Sequence, residues 1–197
     1  MGRRERGYGR GGRMSIETEK VDILSGVRFG ETMGDPITLR VVNKDWENWT
    51  DRMSVMGTPT WTKVTAARPG HADYTYYKKF GIRDYRGGGR ASARETIGRV
   101  AAGAVAKKIL ALKGIDIFGY IIQIENIMAE KFDRDFIEQN PIRTADVDAY
   151  PLMEEAILKA KMEQDSVGGV IELCIKNVPA GIGEPVFDRL NARLAYA

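Results

Sequence analysis

The order of apolar and polar residues predicts a chain of short strands and longer helices. Residues 14–43 alternate or are β-branched and contain the turn-forming stretch GETMGDP, which predicts two or three antiparallel strands. A helix is predicted after Ser92, because Ser92 and Glu95 form a capping-box pattern and Gly114 is placed to end it. The apolar stripe of this helix is Ile97, Ala101, Val105, Ile109 and Leu112.

The second half of the chain continues with mixed elements. The stretch IDIFGYIIQIENI is apolar on both faces, which predicts a strand in the centre of a sheet. Pro151 is placed to open a helix through LMEEAILKAKMEQ, GGVIELCIKNV is typical of another strand, and EPVFDRLNARLAYA begins an amphipathic helix. This mixture of helices and antiparallel strands predicts the α+β class.

The length of 197 residues predicts one globular domain. We divide it into an Arg/Gly-rich segment (1–13), a strand region (14–50), a basic region with the capped helix (62–114) and a mixed region (115–197). No apolar run is long enough to cross a bilayer, and no apolar segment follows the basic N-terminus as a secretory signal requires. The single cysteine, Cys174, lies in an apolar run and fits a buried thiol in a reducing cytoplasm.

The charges are unevenly distributed. The formal net charge is +3, yet residues 68–108 carry ten Lys and Arg against three acidic residues. Residues 116–172 carry five basic and thirteen acidic residues. This segregation predicts that the basic region meets an anionic partner, either a nucleic acid or a small polyanion.

Two features of the basic region suggest chemistry. The glycine run 87–89 leads into the capped helix between Arg90 and Arg94, a pattern that suits an anion-binding site but also occurs in surface turns. His71 is the single histidine and follows a Pro69-Gly70 pair, which can form a turn that orients the imidazole. An imidazole can act as a general acid near neutral pH, although a lone histidine more often has no catalytic role. One histidine among scattered carboxylates does not make a metal site.

Longer stretches resemble the chorismate synthase family. The resemblance is carried by RPGHADYTYYKKFGIRDYRGGGRASARETIGRVAAGAVAKK, by RGYGRGGRM and VDILSGVRFGETMGDPITLRVVNKDW before it, and by NVPAGIGEPVFDRLNARLA after it. It implies a layered α/β sandwich of antiparallel sheet and packed helices, present here in part. It also implies conversion of 5-enolpyruvylshikimate 3-phosphate to chorismate by anti-1,4-elimination of phosphate, a carbon-oxygen lyase reaction in aromatic amino acid biosynthesis. Reduced FMN is required, without net oxidation.

Roles follow from the resemblance for eight residues. His71 matches a catalytic histidine thought to protonate the reduced flavin, and Arg90, Ala91 and Ser92 match an FMN-binding segment. Four arginines match positions that bind substrate or a phosphorylated ligand, NADPH in some descriptions: Arg4, Arg10, Arg68 and Arg94. NADPH is also the candidate flavin reductant. Complete members are similar in forming homotetramers.

The chain also departs from the family at both ends. Family members begin with a GxSHG-type motif that carries a second histidine, and they continue well beyond the equivalent of Ala197. The resemblance therefore predicts an internal fragment that does not turn over by itself. The alternative is a truncated or split homologue that binds polyanions, or RNA through its Arg/Gly tail, without catalysis.

Overall fold

The computed structural model describes residues 20–59, 61–87 and 89–197. These residues fall into two units, one ending at Gly103 and the other comprising Ala104–Ala197. We describe each unit by itself.

The first unit opens with two pairs of antiparallel strands. Strand β1 (Val21–Ser25) pairs with β4 (Thr38–Val41), and β2 (Val27–Arg28) pairs with β3 (Glu31–Thr32). Gly26 lies between the two pairs at φ +78°, a conformation that glycine adopts without strain. The antiparallel strands predicted within residues 14–43 are confirmed where the structure describes the chain.

A helix that the sequence did not suggest precedes the glycine run 87–89. Helix α1 covers Asp73–Phe80 and ends at Gly81, whose φ of +73° is left-handed and whose N–H bonds to the carbonyl of Tyr77. Asp73 lies at its positive end, and Lys78 and Lys79 lie at its negative end. The sequence pattern predicts only a basic region around His71 for this stretch.

Two short 3-10 helices, Gly89–Ala91 and Ala93–Glu95, lead into helix α2 (Thr96–Ala111). Ser92 does cap the start, but its Oγ accepts from the N–H of Arg94 at 3.3 Å, and the first turn is 3-10. The chain leaves α2 through Gly114, whose N–H donates to the Ala111 carbonyl. The predicted helix is therefore confirmed, with its α-helical part beginning four residues after Ser92.

The apolar stripe of α2 is not a buried face. The helix has no buried residue, and Ile109 and Leu112 are 58% and 85% exposed. Helical spacing identifies which residues share a face, but burial requires a second element to pack against that face. In the part of the chain that the structure describes, no such element covers Ile109 or Leu112.

The second unit is built on a three-stranded antiparallel sheet in the order β6-β5-β7. Strand β5 (Asp116–Ile124) is central, flanked by β6 (Ile127–Met128) and β7 (Gly169–Lys176). The central position predicted for IDIFGYIIQIENI is confirmed. Cys174 lies on β7 and is half-buried rather than fully buried.

Helix α3 (Ala149–Met162) covers this sheet and forms its core. Pro151 lies in the first turn, where its missing N–H costs no helical hydrogen bond. Met153 and Ala156 are buried in one cluster, completed by Ile124, Ile142 and Ala149. The last helix, α4 (Leu190–Tyr196), is exposed along its length and begins later than the pattern predicted. Helices with antiparallel sheets confirm the α+β class.

Candidate functional site

His71 lies in a tight turn with Arg68, Pro69 and Gly70. The N–H of His71 donates to the carbonyl of Arg68 at 3.3 Å, which closes a four-residue turn. Gly70 has φ +68°, the positive value that a type II turn requires at its third position, and Pro69 suits the second position. The turn predicted from the Pro-Gly pair is therefore present.

The imidazole of His71 is exposed, and the turn orients it. Its Nδ1 lies 3.0 Å from the carbonyl oxygen of Pro69. Because a carbonyl oxygen only accepts hydrogen bonds, this contact requires the proton on Nδ1. The other nitrogen, Nε2, is then the one that can gain or lose a proton.

Asp73 holds this turn from the start of α1. Its carboxylate accepts from Arg68 at the backbone N–H, Nε and Nη2, at 3.1, 3.0 and 2.9 Å. It also accepts from Nη1 of Arg83 at 3.0 Å. The Asp73 side chain is 7% exposed, whereas that of Arg68 is 42% exposed. Two guanidinium groups thus converge on one buried carboxylate.

These contacts shift the pKa values of both partners. Hydrogen bonds from the Arg68 side chain and backbone hold the pKa of Asp73 well below its usual range, against the opposing effect of burial. The same side-chain hydrogen bond raises the pKa of Arg68. The Asp73 carboxylate and the Arg68 guanidinium are therefore both charged at neutral pH.

The second predicted segment lies before α2. Arg90 and Ala91 belong to the 3-10 helix Gly89–Ala91, and Ser92 and Arg94 follow, both half-buried. The N–H groups of Ser92, Arg94 and Glu95 donate to the Gly89 carbonyl, the Ser92 Oγ and the Ser92 carbonyl, respectively. These three backbone donors are therefore used within the segment itself rather than being available to an anion. The Ser92 hydroxyl remains able to donate its own hydrogen.

The structure brings some predicted residues together and leaves others apart. Arg68 and His71 share one turn, and Ala91, Ser92 and Arg94 share another segment. Among the described residues, the hydrogen bonds of His71 go to Arg68 and Pro69, so none joins the two segments through His71. The predicted residues Arg4 and Arg10 lie outside the described part of the chain.

A cleft beside α1 was not anticipated from the sequence. It has a volume of about 530 Å³, and its lining includes Lys63, Tyr74, Tyr77, Lys78, Ile82 and Tyr85. Tyr74, Tyr77 and Lys78 have the i, i+3, i+4 spacing of one helical face, followed by Gly81 as a stop signal. That pattern was the available signal for both the helix and the cleft.

The described residues also lack two features that would indicate other kinds of site. No group of three or more His, Cys, Asp or Glu side chains is placed to hold a metal ion. No helix there combines the length and the apolar character needed to cross a membrane.

Comparisons with known proteins place the chain in a family. The family model for chorismate synthase matches residues 1–197. A chorismate synthase from Methanococcoides burtonii is 49% identical over 185 residues, which cover 92% of this chain and 48% of the relative. One from Chloroflexus aurantiacus is 46% identical over 202 residues, covering 100% of this chain and 52% of the relative.

A solved structure is also similar. A crystal structure of chorismate synthase matches with a TM-score of 0.70 and 30% sequence identity, covering 98% of this chain and 52% of that one. The chain thus spans about half the length of these relatives. Because the family model matches the whole length, the chain belongs to the chorismate synthase family.

Proposed function

We propose that this chain carries the central part of a chorismate synthase active site. The reaction is the anti-1,4-elimination of phosphate from 5-enolpyruvylshikimate 3-phosphate to give chorismate. The observation that carries the proposal is the family match over residues 1–197. It includes residues 1–13, so the Arg/Gly tail is accounted for as part of the domain, and no observation favours RNA binding.

The reaction requires a balanced removal of two groups. Phosphate leaves with the electron pair of its C–O bond, a proton is lost from the far end of the allylic system, and one new C=C bond forms. Reduced FMN, when bound, supplies reducing electrons that the overall reaction does not consume. The protein must therefore bind and orient several anionic groups and transfer protons, with no net oxidation of the substrate.

His71 is the proposed proton carrier. Its Nδ1 donates to the Pro69 carbonyl, so Nε2 is the atom that holds and transfers the proton. The turn closed by Arg68 and Gly70 restricts the direction of the ring, which a general acid needs. The exposure of the imidazole leaves it accessible to a ligand.

Arg90, Ala91 and Ser92 are proposed to hold FMN. The donor set fits an anionic cofactor, since the Ser92 hydroxyl can donate to a phosphate oxygen while its lone pair accepts from Arg94 N–H. This support comes from the chemistry of the segment and from its place in the matched sequence.

The substrate carries one phosphate and two carboxylates, and arginines are proposed to bind them. Arg68 uses Nε and Nη2 for Asp73, so in the described structure Nη1 is the part of its fork that can meet a substrate oxygen. Arg94, Arg4 and Arg10 are proposed for the remaining anionic groups or for the NADPH phosphate. NADPH as the reductant, a homotetramer and a cytoplasmic location complete the proposal, supported by family membership.

The proposal can be tested in a chimera. This chain would replace the matching segment of the Methanococcoides burtonii relative, and phosphate release would be measured anaerobically with substrate and reduced FMN. His71→Asn retains a side-chain N–H for the Pro69 carbonyl but cannot transfer a proton. We expect kcat to fall by about 100-fold or more, because general acid–base catalysis contributes that much, while FMN and substrate binding persist.

Lys79→Gln, on the exposed surface of α1, is the control and should retain the activity of the chimera. A chimera that binds both ligands but releases no phosphate would contradict the proposed function. A His71→Asn chimera with kcat within about twofold of the unsubstituted one would contradict the role of His71.

A further inference from the structure

The cleft beside α1 has the features of a ligand site separate from the proposed active site. We propose that it binds a planar aromatic carboxylate. None of the eight residues assigned to flavin, substrate or proton transfer is among the residues that line it. The inference therefore stands independently of the proposed function.

Arg83 holds two walls of the cleft together. Its Nη1 donates to the Asp73 carboxylate at 3.0 Å, and its Nη2 donates to the carbonyls of Val64 and Ala66 at 2.9 and 2.8 Å. Helix α1 and the loop around Val64, which form two walls, are thus joined through one guanidinium that is 12% exposed. A preformed cleft lowers the cost of ordering on binding.

The lining offers flat apolar surfaces to a ligand. Tyr74 and Tyr77 lie one turn apart on α1 with exposed rings, and Ile82 is 75% exposed. Tyr85 adds a third, half-buried ring. Aromatic rings stack favourably on planar ligands, and covering Ile82 removes apolar surface from water.

The charges in the cleft favour an anion. Asp73 is the only acidic residue in its lining, and two arginines already neutralise it. Lys63 and Lys78 also line the cleft, and neither has an acidic partner among the described residues. The Lys78 ammonium lies 5.6 Å from the centre of the Tyr74 ring, so positive charge and aromatic surface adjoin.

These features together select the ligand class. A neutral aromatic compound would leave the two ammonium groups without a counter-charge, and inorganic phosphate would make no use of the rings. A volume of about 530 Å³ accommodates a bicyclic aromatic acid, within the roughly 300–1,000 Å³ range of small-molecule sites. A planar ring system with a carboxylate satisfies both the tyrosines and the lysines.

The test uses 2-naphthoate as the probe and 2-naphthylmethanol, which lacks the charge, as its neutral counterpart. Binding to the 197-residue chain would be measured by isothermal titration calorimetry and by saturation-transfer NMR. We expect saturable binding of one naphthoate per chain, weakened at high salt. We also expect at least about tenfold weaker binding of the alcohol, the loss expected when charge pairing is removed from a partly desolvated site.

Helix α1 supplies matched variants. Tyr77→Ala and Lys78→Gln alter the cleft, whereas Tyr76→Ala and Lys79→Gln remove the same chemistry from residues outside its lining. Tyr77→Ala should weaken naphthoate binding about tenfold and Lys78→Gln about three- to tenfold. The two controls should bind within about twofold of the unsubstituted chain.

Circular dichroism would verify that each variant remains folded. If Tyr77→Ala does not fold, Lys78→Gln still tests the cleft. The proposal is overturned if the unsubstituted chain shows no saturable binding, or if the cleft variants and their controls bind equally. It is likewise overturned if naphthoate and naphthylmethanol bind equally. His71→Asn should leave naphthoate binding unchanged, so failure here and failure of the proposed active site are distinguishable.

Discussion

The carboxylate of Asp73 accepts three hydrogen bonds from Arg68, one from its backbone and two from its guanidinium. This pairing joins Arg68, the first residue of the His71 turn, to Asp73, the first residue of α1. Arg83 adds a fourth bond to the same carboxylate. The orientation of the imidazole and the position of the walls of the cleft beside α1 therefore both depend on the Asp73 side chain.

Replacing Asp73 by Asn should destabilise the first unit. The change leaves two guanidinium groups facing an uncharged amide in a mostly buried position. We expect the melting temperature to fall by about 5 °C or more in differential scanning calorimetry. Asp84→Asn is the control, because Asp84 pairs with Arg86 and is more exposed than Asp73. It should shift the melting temperature by less than about 2 °C.

The same pair predicts a dependence on acid pH. Because the folded state holds the pKa of Asp73 below its unfolded value, its stabilising effect is present above the unfolded pKa and is lost as the pH falls towards the folded pKa. The difference in stability between the unsubstituted chain and Asp73→Asn should thus narrow below about pH 4. A constant difference down to pH ~2 would contradict this assignment.

Two glycines with similar positive φ angles should respond differently to alanine. Gly70, at φ +68°, has nothing within 4 Å of where a Cβ would stand, so Gly70→Ala should cost only the backbone strain of about 1 kcal/mol. At Gly26, at φ +78°, a Cβ would lie 2.7 Å from the Pro36 oxygen and 2.9 Å from the Ile37 Cα. Gly26→Ala should cost at least about 2–3 kcal/mol in urea unfolding. Equal costs would contradict the packing at Gly26.

Tyr120 should titrate late. Its hydroxyl bonds to the Glu172 carboxylate, which together with burial raises the pKa of Tyr120 to about 12. Since this raised value exceeds the unfolded one, the associated stability is present below about pH 10 and is lost as the pH rises towards 12. Glu172→Gln should return the pKa towards its ordinary value, as measured by carbon NMR of the labelled ring. Glu155→Gln, on α3, should leave it unchanged.

Asp146 should be essential to the second unit. Its buried carboxylate accepts from the N–H groups of Glu130 and Lys131 at one oxygen and from those of Asp148 and Ala149 at the other. Burial alone would raise the pKa of Asp146, but these four donors outweigh it and hold the pKa below its usual value.

Asp146→Ala leaves those four donors without their acceptor, and two of them, Asp148 and Ala149, lie at the start of α3. We expect the free energy of unfolding, measured with urea, to fall by about 2–4 kcal/mol. Asp148→Asn provides the control, because Asp148 is exposed and its bond to Lys131 lies at the surface. A similar loss in both variants would argue against the role of Asp146.

Local sequence patterns predicted several features because their causes are local. Strand β5 was predicted as central because its residues are apolar on both faces, and α2 because apolar residues recur at helical spacing. The turn before His71 followed from the backbone preferences of Pro69 and Gly70. Such preferences act within a few residues and need no information about the rest of the chain.

Other features depended on residues distant in sequence. Helix α1 was missed because the helical spacing of Tyr74, Tyr77 and Lys78 is a weak signal in a helix of eight residues. Its first residue, Asp73, is held by ion pairs with Arg68 and Arg83, which lie outside the helix. The cleft required the carbonyls of Val64 and Ala66 to meet Arg83.

By itself, then, the sequence determined the helical and strand periods, the turn at His71 and, through its resemblance, the family. Tertiary structure alone decided which apolar faces are buried, as the exposed stripe of α2 and the core under α3 show. The physical reason is that periodicity records which side chains share a face, while burial and ion pairing depend on which distant surface meets that face.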